Sequence, residues 1–284
     1  MSAFLELKNV SYSYDPQAKE PRWAVKDVSL SIEEGEFIAL IGHTGSGKST
    51  LIQFFDGLLA PTEGQVLFQG QDTREKGFSM KMLRQNVGLV FQYPEHQLFE
   101  MTLLKDACYG PKNLKLPKEE QEARAKEALQ LVGFTEKDFD RSPFDLSGGR
   151  KRRAAIAGVL AMKPRMLILD EPAAGLDPKG RTDLLEMLTK LNRENHTTIL
   201  MVTHSMEDAA RYAGRILAMN KGKLVADGPT REVFTHFDEL QESGLSVPEP
   251  AIALRAMKER GIPVRTDALT TEEARDEILR VFQK

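Results

Sequence analysis

Residues Gly42-His43-Thr44-Gly45-Ser46-Gly47-Lys48-Ser49 fit the spacing G-x-x-x-x-G-K-[ST], a loop built to grip the phosphates of a nucleoside triphosphate. Glycines at 42, 45 and 47 let successive backbone N–H groups curl inward where side chains would obstruct them. Lys48 adds a point charge at the β and γ phosphates, and Ser49 offers a hydroxyl to magnesium. A second glycine pair, Gly148-Gly149, follows Ser147 and precedes a helix-compatible run from Arg150 to Met162. Helix starts carry unpaired amides and the positive end of the dipole, so this is a second phosphate cradle. One ATP needs only one. The second is therefore expected to close over the nucleotide held by a partner subunit.

Two carboxylates, Asp170 and Glu171, end the apolar run Met166 to Leu169. Asp170 suits the shell of Mg2+, a hard cation that takes oxygen ligands, and Glu171 suits the polarisation of an attacking water. Gln92 has an amide able to reach the metal or that water. His204 follows a further apolar run and should emerge beside the acids, there to hydrogen-bond the γ phosphate. Tyr14 is a candidate to stack on adenine, ahead of Tyr12 and Trp23.

The elements that must position these groups are legible from local patterning. Phe4 to Tyr14, Val25 to Ile32 and Phe37 to Ile41 read as strands, and the third runs straight into the glycine loop. Lys48 to Leu58 reads as the helix that follows. Val87 to Phe91 is a short buried strand, and Pro117 to Val132 opens a helix with proline, so the middle of the chain is largely helical. Met166 to Leu169 and Thr198 to Val202 are continuous apolar runs of the parallel, doubly covered kind. Leu184, Leu185, Leu188 and Leu191 repeat at helical spacing between them, as in a crossover helix. Arg215 to Ala226, broken by Asn220-Lys221-Gly222, predicts a hairpin. From about His236 three prolines break the chain into short segments, and Thr270 with Glu273 predicts a capping box for a last helix.

Composition narrows the field. With 39 basic and 42 acidic residues among 284, the chain lacks the charge of a broad nucleic-acid footprint. Cys108 is the only cysteine, which excludes an internal disulfide and a cysteine metal cage. The start, Met-Ser-Ala-Phe-Leu-Glu, has none of the regions of a signal peptide, and no apolar stretch approaches the length of a spanning helix. A soluble cytoplasmic chain is expected, with any membrane role supplied by partners.

Taken together, Gly42 to Thr50, Gln92, Leu146 to Gly149, Met166 to Glu171, Ala174-Gly175-Leu176-Asp177 and His204 resemble the ATPase subunits of ABC transporters. The resemblance covers roughly residues 3 to 235. It implies an α/β P-loop NTPase fold with a mixed core sheet, an antiparallel β subdomain, a helical signature subdomain at about 93–162, and a small C-terminal appendage. The implied division is a nucleotide-binding domain at 1–235 and a C-terminal domain at 236–284, a candidate dimer contact.

Within that superfamily, Phe91-Gln92-Tyr93-Pro94-Glu95-His96-Gln97-Leu98-Phe99 and Ile156 to Met162 resemble the energy-coupling-factor (ECF) importers of vitamins and transition-metal ions, and Pro94-Glu95 with Glu171-Pro172 resembles the second of their paired ATPases more than the first. That likeness implies ATP and Mg2+ as ligands, with Thr50 completing the nucleotide loop. It also implies a second ATPase subunit in a heterodimer, a transmembrane coupling subunit, a substrate-binding membrane subunit, and a place at the cytoplasmic face of the membrane. Ser147, Gly148 and Gly149 would reach the partner's γ phosphate, Asp177 would lie at the subunit boundary, and Tyr93 to Phe99 would grip the membrane subunit.

Two positions depart from the family pattern: Arg150 stands where glutamine is common, and Ala173 where threonine or serine is usual. The motif core alone also fits the ATPase of an importer fed by a soluble binding protein. DNA-repair and translation relatives fit less well: the former insert long coiled coils between loop and signature, and the latter carry two ATPase halves in one chain.

Overall fold

Alternation along the central strands decides the layering. In the computed structural model, which describes residues 3–236, 240 and 244–282, β3 (Phe37–Ile41) is buried at every position. Ile38 and Leu40 face one hydrophobic cluster; Phe37, Ala39 and Ile41 face another. A strand covered on both faces has no polar positions to alternate, hence its unbroken apolar run. β3 belongs to a six-stranded sheet in the order β10-β9-β3-β8-β7-β6. Its strands are β6 (Val87–Val90), β7 (Met166–Asp170), β8 (Thr198–Val202), β9 (Arg215–Asn220) and β10 (Lys223–Pro229). All are parallel except β10, which returns antiparallel to β9 through a turn with Lys221 and Gly222 at positive φ.

A second, antiparallel sheet orders β1 (Leu5–Ser13), β2 (Trp23–Ile32), β4 (Glu63–Phe68) and β5 (Gln71–Asp72) as β2-β1-β4-β5. Together with α1 (Lys48–Phe55) it covers the Ile38 face of the core sheet. Helices cover the other face: α3 (Leu103–Asn113), α4 (Lys118–Leu131), α5 (Gly148–Leu160) and α6 (Pro178–Asn195), the last contributing the four predicted leucines. The short helix α2 (Met80–Asn86) precedes β6, and α7 (Met206–Tyr212) and α8 (Thr230–Thr235) complete the main body.

Several expected boundaries shift. The helix read as Lys48 to Leu58 ends at Phe55, because Gly57 turns left-handed (φ 69°). The helix read from Arg150 begins two residues earlier at Gly148, which places both signature glycines in its first turn. The hairpin runs on past Ala226 to Pro229.

In the C-terminal stretch, α9 (Glu249–Glu259) and α10 (Thr271–Phe282) enclose a small cluster of Leu254, Val264, Ala268 and Ala274. Leu245, Val247 and Leu269 belong instead to the main core. The Thr270 hydroxyl accepts the Glu273 amide (3.2 Å), and the Glu273 carboxylate accepts from Leu269 N–H (2.9 Å), one residue upstream of the return bond of a standard box. Within the expected 236–284 unit, residues 237–239, 241–243 and 283–284 lie outside the described residues, as do Met1 and Ser2.

Candidate functional site

Register brings the sequence candidates to one edge. Leu40 and Asp170 both pair with Val202, and Val90 pairs with Leu169, so the carboxyl ends of β3, β8, β7 and β6 are level. The loop Gly42–Ser49, His204, the acids Asp170 and Glu171, and Gln92 all leave the sheet there. Crevices outside the carboxyl ends of parallel strands are where α/β proteins hold ligands.

The loop is shaped by its glycines. A Cβ on Gly47 (φ 103°) would sit 2.3 Å from the Ala24 carbonyl oxygen, so a side chain there must push the backbone apart. Gly45 (φ 80°) faces open space with nothing within 4 Å, the mouth of the cradle. The amides at the start of α1 have no intrahelical acceptor. Lys48 Nζ meanwhile donates to the carbonyls of Gly42 (2.7 Å) and His43 (3.1 Å). Burial pulls this ammonium below its ordinary pKa, against the opposing pull of Glu171 and Asp170. His43 is held aside by contacts of 2.8 Å with the Thr44 carbonyl and 2.9 Å with Asn220 Oδ1. Ser46 Oγ is buried without a hydrogen-bond partner. Unpaired amides, a half-buried lysine and an orphaned hydroxyl make a set that fits a polyphosphate.

Ser49 Oγ donates to Asp170 Oδ2 across a long 3.4 Å, and burial followed by the Glu171 charge raises the Asp170 carboxyl above its usual range. A cation beside these oxygens relieves both conditions. Among the described residues no group of three or more His, Cys, Asp or Glu side chains forms a metal cage. The Ser49 and Asp170 oxygens are of the hard type that Mg2+ takes, one or two from protein with the rest from water and phosphate.

Glu171 adopts a left-handed backbone (φ 51°), secured by its N–H to the Val202 carbonyl (3.0 Å) and by Ala174 N–H to its own carbonyl (3.2 Å). This turn aims its carboxylate at His204, whose Nδ1 lies 2.8 Å from a Glu171 oxygen. The side chain of His204 is 74 % exposed, so Nε2 faces outward. Gln92 is exposed just beyond β6. Tyr14 stands open beside α1 with its hydroxyl 3.0 Å from Thr50 Oγ1, whereas Tyr12 packs edge-on against Phe54.

The signature turn is also open. Ser147 caps α5 without a side-chain bond to its first turn, and Ser147 and Gly148 are exposed. Gly149 approaches the Leu176 side chain, so this turn sits next to Ala174-Gly175-Leu176-Asp177. Arg150 points away from it: Nη2 donates to Asp138 (2.8 Å) and the guanidinium lies over the Phe134 ring.

Sequence reasoning missed a frame of ion pairs behind the site. Arg181, one turn past Asp177, bonds both Asp208 oxygens (3.0 and 2.9 Å) and Ser205 Oγ, next to His204. Arg152 forms a comparable cross-link behind Glu171. Charged residues at inward positions of α5 and α6 were the available signal.

The ABC transporter family profile matches residues 25–174. This chain belongs to the ABC transporter family. It is 48 % identical over 279 residues to the energy-coupling factor transporter ATP-binding protein EcfA2 of Caldanaerobacter subterraneus subsp. tengcongensis, covering 98 % of each chain. The corresponding protein of Clostridium tetani is 49 % identical, with 98 % of this chain and 97 % of that one covered. Among solved structures, cbiO1 from Clostridium perfringens, part of the ABC transporter complex cbiONQ, superposes with a TM-score of 0.75 at 35 % identity, over 85 % of this chain and 94 % of that one. The ATP-binding cassette MJ0796, solved as a dimer in a post-hydrolysis state with ADP and Pi, gives 0.69 at 33 % identity over 80 % and 98 %. The P-loop ABC ATPase fold expected from the motifs is the fold observed, with its mixed and antiparallel sheets.

Proposed function

We propose that this chain is the ATP-binding and hydrolysing subunit of an ECF-type importer, working as half of a dimer whose two nucleotide sites lie between subunits. Full-length likeness to EcfA2 proteins supports the ECF assignment. The observation that carries the mechanism is that Lys48, Ser49, Asp170 and the Glu171–His204 pair share one sheet edge, while the signature turn is itself exposed.

In this reading the loop amides and Lys48 hold the phosphates, and Tyr14 offers its open ring face to adenine. Ser49, Asp170 and Gln92 would hold Mg2+, which would supply charge neutralisation at the phosphates. Glu171 accepts a proton from the attacking water, with Nδ1 of His204 2.8 Å from its carboxylate, and the outward edge of the His204 ring is left to meet the γ phosphate. Ser147 and the amides of Gly148 and Gly149 complete the partner's site rather than this chain's own. Residues 1–235 form the nucleotide-binding domain and 236–284 the appendage. Partners are a second, distinct ATPase, a transmembrane coupling subunit docked on Tyr93–Phe99, and a substrate-binding membrane subunit, with the chain peripheral at the cytoplasmic face. Among the described residues no helix is long and apolar enough to cross a membrane, so such partners must supply the spans.

Intact-mass analysis of the complex extracted from membranes tests this. The expected result is one copy of this chain with a second ATPase and two membrane proteins. Recovery of the chain without any membrane protein contradicts the proposal.

A further inference from the structure

The turn that carries Glu171 is held from behind by a buried arginine on the signature helix. Arg152 lies one turn past Gly148 and is 2 % exposed. Its Nη1 donates to the carbonyl oxygens of Pro172 (2.9 Å) and Ala174 (2.6 Å). Its Nε and Nη2 form a two-point ion pair with Glu95 (3.0 and 2.8 Å), and the guanidinium faces the Tyr93 ring at 5.8 Å. Burial alone would push the Glu95 carboxyl up, yet the Arg152 bonds leave it below the ordinary range, so the pair is charged.

One side chain thus joins three segments: α5 with the signature turn, the loop after β6 that exposes Tyr93 and Phe99, and the residues directly after Glu171. The fork geometry matters. Only a planar guanidinium can satisfy a carboxylate at two points and two carbonyls at once; an ammonium of equal charge cannot. The left-handed Glu171 backbone needs its neighbours fixed, and the Pro172 carbonyl is the next acceptor along the chain.

We propose that Arg152 is a positioning residue for hydrolysis, given the role of Glu171 assigned above. Its guanidinium fixes the turn that aims Glu171, and its pair with Glu95 ties that turn to the exposed Tyr93–Phe99 loop, so that docking of the loop and catalytic geometry change together.

The test compares Arg152→Lys, Arg152→Gln, Glu95→Gln and Glu171→Gln in the complex extracted from membranes, measuring kcat and KM for ATP, binding of a fluorescent ATP analogue, and thermal melting. Both Arg152 variants should lower kcat about 10- to 100-fold while KM and analogue affinity stay within about twofold, the signature of misaligned chemistry rather than lost binding. A purely structural role would instead lower melting temperature and analogue-binding capacity together. Glu95→Gln leaves the carbonyl bonds in place, so turnover should persist but no longer differ between the complex and the isolated ATPase pair. Normal kcat in Arg152→Gln, with Glu171→Gln inactive, overturns the proposal. If both Arg152 variants fail to assemble, an unaltered complex-dependence of turnover in Glu95→Gln overturns it. Turnover by Glu171→Gln instead defeats the underlying assignment of the base.

Discussion

Glu171 holds a backbone conformation that costs a residue with a side chain about 1–3 kcal/mol, and the surroundings fix it with bonds to Val202 and Ala174. The strain aims one carboxylate at one histidine. Replacing Glu171 with Gln keeps the shape and removes the proton acceptor, so ATP should still be bound while steady-state turnover falls at least about 100-fold. Parallel binding and phosphate-release assays on the native complex check this, and an unchanged rate excludes Glu171 as base. The loop glycines give a second residue-level contrast. Gly47→Ala drives a methyl into the Ala24 carbonyl, whereas the methyl of Gly45→Ala meets no neighbour and adds only the modest strain of its positive φ. The first should lower melting temperature markedly; the second should melt within a few degrees of the parent yet bind ATP poorly, because its methyl occupies the phosphate mouth. Equal melting temperatures for the two variants contradict this reading of the loop.

At the scale of elements, α1 carries a built-in liability at its carboxyl end. Asp56 is its C-cap, buried, with burial pushing its carboxyl up to about 6 despite the Leu58 amide and Arg84 nearby. A carboxylate there also opposes the helix dipole. The folded pKa lies above the unfolded value of 3.8, so the protein loses stability as pH rises from about 4 to about 6, and the cost stays in full above that. Asp56→Asn should therefore stabilise the chain by roughly 2 kcal/mol at pH 8, with the gain shrinking toward zero near pH 4. Denaturant melts of both proteins across that range decide it; a gain that does not shrink rules out the carboxyl as its source.

The same scale shows what the sequence reveals and what it hides. β3, β7 and β8 are plain because both faces are buried and every position is apolar. The glycine loop, the acids and His204 follow from those strand ends. By contrast β4 and β5 alternate too briefly to stand out, and α3 carries Pro111 inside it, which reads as a break. Arg152 was invisible as a cross-link because Glu95 lies 57 positions away and its other acceptors are carbonyls, which any sequence has. Arg150, which stands where the family commonly has glutamine, turns to Asp138 because that carboxylate, held down to about 2 first by the Thr135 amide and further by Arg150 itself, offers a fixed charge within its own subdomain.

At the scale of the molecule, two sets of exposed features bear on function. Tyr93, Phe99, Met101 and Tyr109 expose apolar surface on the helical side, with Phe99 and Tyr109 in edge-to-face contact. Patches of this kind mark docking sites. Phe99→Asp should release the membrane subunit from the purified complex while nucleotide binding by the chain stays intact; full retention of the membrane subunit argues that docking lies elsewhere. The second set is nucleotide-directed in the proposed reading: the open phosphate loop and the exposed Ser147 turn, assigned above to two different ATP molecules.

Vanadate-dependent photocleavage of the native complex tests that division most directly. With vanadate held in the γ-phosphate position, irradiation should cut this chain both in the Gly42–Ser49 loop and at Ser147. Lys48→Ala should abolish the first cut and spare the second, because the Ser147 cut depends on the partner's nucleotide. Loss of both cuts in Lys48→Ala, or cleavage in the loop alone in the parent complex, would show that each chain builds its pocket by itself.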